Sequence, residues 1–112
     1  MIEAIIIQYL NEQLGLPVYA EVPGKAEKEF CIVEKTGSST QNYIRSATVA
    51  VQSYSDSLLK AAKLNERVIQ AMEELSGLEE VSSCDLNSDY NYTDTSTKRY
   101  RYQAVFDITH FN

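Results

Sequence analysis

The chain has no tryptophan, one histidine, two cysteines, two prolines and four glycines among 112 residues. Each scarcity excludes something. A lone His110 leaves no multi-histidine metal set and no histidine-paired nucleophile, and no serine has a nucleophile-elbow context. Gly15, Gly24, Gly37 and Gly77 stand singly, so no glycine-rich phosphate loop is present. Cys31 and Cys84 form neither a metal motif nor a disulfide framework, and are expected as buried thiols of a cytosolic protein. No apolar run nears the ~20 residues of a membrane span. The opening "MIEAIIIQYL" lacks a basic leader and a small-residue cleavage site, so it is expected to belong to the fold. Positive charge is scarce too. Ten Lys and Arg against 16 Asp and Glu leave a net −6, which opposes general binding to duplex DNA or an anionic membrane.

The carboxylates do not replace the missing histidines. Glu73/Glu74 and Glu79/Glu80 are sequence neighbours that point apart on a helix or strand, and read as solvated. Asp85, Asp89, Asp94 and Asp107 are scattered with no histidine among them, unlike a transition-metal site. A non-enzyme is expected, with no catalytic residue, cofactor or metal ligand.

What is present is periodicity. The spacing predicts one domain over residues 1–112, of α+β class, in the order α-β-β-β-α-β-β. Ile2, Ile5, Ile6, Tyr9, Leu10 and Leu14 make one apolar stripe, so a helix is expected over Ile2–Leu14, stopped by Gly15 and Pro17. Strands are expected at Val18–Val22, Phe30–Thr36 and Tyr43–Tyr54, the last apolar on both faces and therefore central. Polar loops are expected at Lys25–Glu29 and Gly37–Asn42. A second helix, capped by Ser55 or Asp56, runs to about Leu75 with Leu58, Ala61, Ala62, Val68, Ile69, Met72 and Leu75 inward. Asn65 interrupts that stripe. Glu80–Tyr92 and Lys98–Thr109 read as the last two strands.

Eight tyrosines are the notable surplus, and four of them crowd into "YNYTDTSTKRYRY". Folding this stretch about Ser96 opposes Tyr92 to Tyr100, Tyr90 to Tyr102, Leu86 to Phe106, Cys84 to Ile108 and Asp94 to Lys98. Each such pair contributes about 0.2–1 kcal/mol. In that register all four tyrosines share one face, with Phe106 and Leu86 in the core, while Arg99 and Arg101 point the other way. Two readings of the ladder stand: the rings finish the core, or they form an assembly contact. Aromatics beside basic residues also resemble a single-strand grip, but rings and cations on opposite faces would not cooperate. The assembly candidates are therefore Tyr90, Tyr92, Tyr100, Tyr102, Asp94, Lys98, Arg99 and Arg101.

The segments "YLNEQLGLPVYAEVP", "EFCIVEKTGSS", "SATVAVQSYSDSLLKAAKLNERV" and "LNSDYNYTDTSTKRYRYQAVFDITH" together resemble the small tail-completion or tail-terminator proteins of tailed bacteriophages and of prophages in Gram-positive bacteria. The resemblance spans roughly Ile5 to His110 and has no catalytic motif to transfer. It implies a structural virion protein, made in the bacterial host cytoplasm, that completes the tail tube and contributes to head-tail joining. It implies self-association, hexameric rings in several members, and contacts with tail-tube and connector proteins. Loops Lys25–Glu29, Gly37–Asn42 and Thr93–Thr97 are the natural contact candidates. The alternative expectation is a small binding module that takes a peptide or single-stranded RNA on its C-terminal hairpin.

Overall fold

The computed structural model describes residues 1–25 and 27–111. Its elements are α1 (Ile2–Leu14), β1 (Val18–Tyr19), β2 (Phe30–Gln41), β3 (Ile44–Ser55), α2 (Leu58–Glu73), β4 (Val81–Asn91) and β5 (Tyr100–Phe111), with a short 3-10 turn at Leu75–Gly77. The class is α+β in the expected order. The strands form one sheet in the order β1-β2-β3-β5-β4. Only the β1–β2 pairing is parallel.

Both helices lie on one face of that sheet. In α1, Ile2, Ile6, Leu10 and Leu14 are buried at four-residue spacing. Gly15 ends the helix at φ 67, a left-handed position that favours glycine, and its N–H reaches the Asn11 carbonyl. Arg67 of α2 donates to the Leu14 carbonyl at 2.7 Å, and the Tyr9 hydroxyl donates to Ala71 O at 2.6 Å. These bonds satisfy backbone acceptors and lock the two helices together. Beneath them Cys31, Val33, Val49, Val51, Ala104, Phe106 and Ile108 complete the core.

The second helix corrects two expectations. Its N-cap is Ser57, whose side chain accepts from Lys60 N, rather than Ser55 or Asp56. Its buried stripe is Ala61, Leu64, Asn65, Val68 and Met72, and Leu58 is exposed. Asn65 belongs in the stripe because it donates to the Asp89 carboxylate of β4 at 2.9 Å. A buried amide is retained where it finds a partner.

The strand limits also moved. β1 ends at Tyr19, and the chain then leaves the sheet before Pro23. The expected loop Gly37–Asn42 is instead strand through Gln41, paired residue by residue with β3. Ladder pairing outweighs a composition poor in β-formers. A bulge at Thr36 lets Gly37 oppose Thr48. The turn is only Asn42-Tyr43, both at positive φ (52 and 68), as a two-residue hairpin requires. As expected, β3 is central, and Val49–Ser55 is buried throughout.

Candidate assembly surface on the open sheet face

The face away from the helices has no helical cover. Alternation along β3 sends Ile44, Ser46, Thr48, Ala50, Gln52 and Tyr54 to it, and their β5 partners Phe111, Thr109, Asp107, Val105, Gln103 and Arg101 follow. Near β1, a small second cluster of Phe30, Ile32 and Tyr54, with Tyr19 against it, dries part of this face.

The hairpin register decides what joins it from β4. Cys84 opposes Ile108 and Leu86 opposes Phe106, as expected. A bulge at Asn87 then shifts the ladder by one, so Tyr90 opposes Gln103 and Asn91 opposes Tyr102. The expected pairs Tyr90–Tyr102 and Tyr92–Tyr100 do not form; the Tyr92 N–H donates to Arg101 O at 2.8 Å instead. One extra residue exchanges the faces of everything beyond it. Tyr90 and Tyr92 therefore lie on the open face beside Arg101, while Tyr100 and Tyr102, opposite Ser55 and Ser53, turn to the helix side. The single tyrosine ladder is overturned, and with it the separation of rings from arginines. Leu86 is also corrected: it is exposed on the edge strand rather than in the core.

The hairpin tip explains the shift. Asp94 bridges Arg99, not Lys98, and the loop spans residues 95–98. Asp94 accepts from Ser96 N at 3.0 Å and from Ser96 Oγ at 2.7 Å, and Lys98 takes φ 55. Hydrogen bonds from Ser96 and Thr97 hold the Asp94 carboxyl below its usual range. This side-chain turn sets the loop length, and loop length sets the register.

Across the open face runs a row of rings and guanidinium. Phe30 stacks on Tyr54 at 4.5 Å between centroids. The Arg101 guanidinium carbon lies 5.6 Å from the Tyr54 centroid and 4.5 Å from that of Tyr92. Tyr92 meets Tyr90 edge-on at 6.0 Å. Arg99 adds a second cation 5.7 Å from the Tyr54 ring. Contacts of this kind are worth about 0.5–1 kcal/mol each at exposed sites.

The same residues form a directed hydrogen-bond chain. Arg101 Nη1 donates to Tyr54 Oη at 2.7 Å, and that hydroxyl donates to Gln52 Oε1 at 3.3 Å. Gln52 Nε2 donates to Gln103 Oε1 at 2.9 Å, and Gln103 Nε2 donates to Tyr90 Oη at 2.6 Å. A cation thus starts a chain that ends on the half-exposed Tyr90 hydroxyl, each bond polarising the next. Arg101 Nε also donates to Tyr92 O at 2.7 Å. Beside the chain, an open recess of about 460 Å3 is lined by Glu34, Gln52, Tyr54, Tyr92, Arg101 and Gln103.

At the other end of this face, Asp85 directly opposes Asp107. Asp107 accepts from Asn87 Nδ2 at 3.0 Å and from Thr48 Oγ1 at 3.4 Å. The bulge residue is thus tied to the acidic pair. Exposed Ile44 and Phe111 oppose each other four residues further along β3 and β5, past Ser46 and Thr109, and Tyr43 is 95 % exposed at the turn.

Sequence reasoning does not place Gln52, Tyr54, Gln103, Ile44, Asp85, Asp107 and Phe111 in the candidate surface. The glutamines in "VAVQSYS" and "RYQAVF" carry a legible signal, since a polar residue inside an apolar strand needs a partner. Both cysteines are free, and burial pushes each thiol up to about 12. His110 is buried. Among the described residues, no group of three or more His, Cys, Asp or Glu is placed to hold a metal ion. No described helix is long and apolar enough to cross a membrane.

A scan against protein-family models and a search of curated proteins both find no match for the chain.

Proposed function

We propose that this chain is a structural virion protein of the tail-completion type, non-enzymatic, working by self-association and by contacts with tail-tube and connector proteins. Ring formation, a place in the virion and synthesis in the host cytoplasm are parts of the same proposal. The observation that carries it is the open sheet face: half-exposed Tyr90 and Tyr92 at one end, exposed Ile44 and Phe111 at the other, and, among the described residues, no helix over either. Exposed aromatic and aliphatic groups rimmed by charge mark a surface that is buried in use. A contact between different patches on successive copies closes into a ring when its rotation permits. The test is solution mass over a concentration series, alone and with purified tail tubes. Mass that grows with concentration, or capture on tube ends, is expected. A persistent monomer that ignores tubes overturns the proposal.

A second reading is favoured by one observation. The bulge at Asn87 places Tyr90 and Tyr92 on the same face as Arg99 and Arg101, so rings and cations cooperate. That arrangement suits single-stranded RNA or an acidic peptide on the C-terminal hairpin. The net charge of −6 weighs against RNA. Fluorescence anisotropy with a labelled oligouridylate at low salt separates the readings; binding that Arg99→Ala abolishes would favour the second.

A further inference from the structure

We infer that the two ends of the open face are complementary to each other between molecules, and that the occupant of this face is a second copy of the chain. This rests on the self-association reading and names its contact.

The cationic-aromatic end carries Arg99, Arg101 and Tyr92, and the acidic-apolar end carries Asp85, Asp107 and Phe111. Among the described residues, neither arginine forms a salt bridge, and neither aspartate does. Arg101 and Asp107 stand six residues apart on β5, about 20 Å at ~3.4 Å per residue. That separation exceeds the Debye length of about 8–10 Å at ordinary ionic strength, so the ends do not neutralise each other within one molecule. The acidic end is moreover unfavourable when alone. Like charges directly opposite across a ladder destabilise it, and Asp85–Asp107 is such a pair. A neighbour's guanidinium relieves that repulsion.

Shape of content matches as well as charge. The cationic end offers flat rings and the polarised Tyr90 hydroxyl, which donates to no acceptor among the described residues. The acidic end offers Ile44 and Phe111 for the rings and carboxylates for the hydroxyl and the guanidinium. Tyr43 flanks that end. It occupies a left-handed turn position that a bulky residue adopts at a cost, and it buries almost nothing within its own chain. Such a residue gains its contacts from outside.

Edge-to-edge strand pairing is the competing way to join two sheets, and the edges oppose it. β4 has bulges at Ser82 and Asn87, and the outer half of β2 is broken at Thr36. Bulged edges resist strand addition. The net charge of −6 disfavours casual association, so pairing needs opposite patches in register.

The experiment is a charge swap read by sedimentation, alone and on tail tubes, at low and at high salt. Arg99→Glu and Asp85→Lys sit on exposed side chains; the first is expected to leave the melting temperature nearly unchanged and the second to raise it slightly, because Lys opposite Asp107 replaces a like-charge pair. Each alone is expected to weaken self-association by about tenfold or more. The double variant Arg99→Glu with Asp85→Lys restores it, and high salt weakens the wild type. Association that neither single variant weakens overturns this contact while leaving the assembly reading intact. So does a double variant no better than the singles. A chain that never associates, even on tubes, overturns both. Loss of oligouridylate binding by Arg99→Glu with self-association unaltered replaces the second copy with a nucleic acid.

Discussion

Tyr43 shows how a single residue can be at odds with its own backbone. The Asn42-Tyr43 turn needs positive φ at both positions, and asparagine tolerates this where tyrosine does not. Tyr43→Gly is therefore expected to stabilise the fold by about 1 kcal/mol. The thermal midpoint should rise by roughly 4 °C, read by circular dichroism. Gln103 is the opposite case. It is buried and receives one bond while making another, so Gln103→Ala strands the Gln52 amide and frees Tyr90. A loss of about 1–3 kcal/mol in denaturant unfolding is expected. His110 supplies a pH dependence. Burial first, then Arg45 and Lys35, holds its pKa below the ordinary 6.5, against a smaller opposing effect of Glu3. The unfolded chain binds that proton more readily than the folded one. Stability is then full above about pH 6.5 and falls as pH drops through the unfolded value toward the depressed folded one. Thermal midpoints between pH 7.5 and 5.5 should decline in the wild type and decline less in His110→Gln.

At the scale of elements, the bulge at Asn87 is the decisive feature. It is one residue, yet it determines which side of the sheet receives Tyr90 and Tyr92. Deleting Asn87 is expected to remove the bulge and leave a continuous ladder, with Ser88 directly after Leu86 and still opposite Val105. Tyr90 then keeps its Gln103 partner and the open face. Cross-strand amide contacts in NMR spectra read this directly; a Tyr90 that opposes Tyr102 in the deletion variant would overturn it. The two tyrosine pairs are also separable. Tyr92→Ser is expected to impair assembly with little change in melting temperature, and Tyr100→Ser to leave assembly unaltered, since the rings occupy opposite faces. Equal effects of the two on sedimentation would contradict that division.

For the whole molecule, the helices and the sheet divide the work. Phe106, Leu64 and Val68 lie in the core between helices and sheet, where stability resides. Phe106→Ala is expected to cost about 3–5 kcal/mol and to unfold much of the population at 37 °C. The open face carries a small separate cluster around Tyr54 rather than a share of that core. It is thereby free to carry unpaired charge at both ends, which a packed face would not tolerate.

Local pattern alone determined the α+β class, the element order, both helices, the central place of β3 and the inner half of the β4–β5 register. These follow from spacing of apolar residues, which burial on one face imposes directly. The tertiary structure decided the rest. Gly37–Gln41 became strand because β3 offered a partner, which composition does not record. Asn65 became a core residue because Asp89 reached it from another element. The face of Tyr90 and Tyr92 was decided by a bulge and a side-chain turn, since inserting one residue costs little locally yet inverts every side chain that follows.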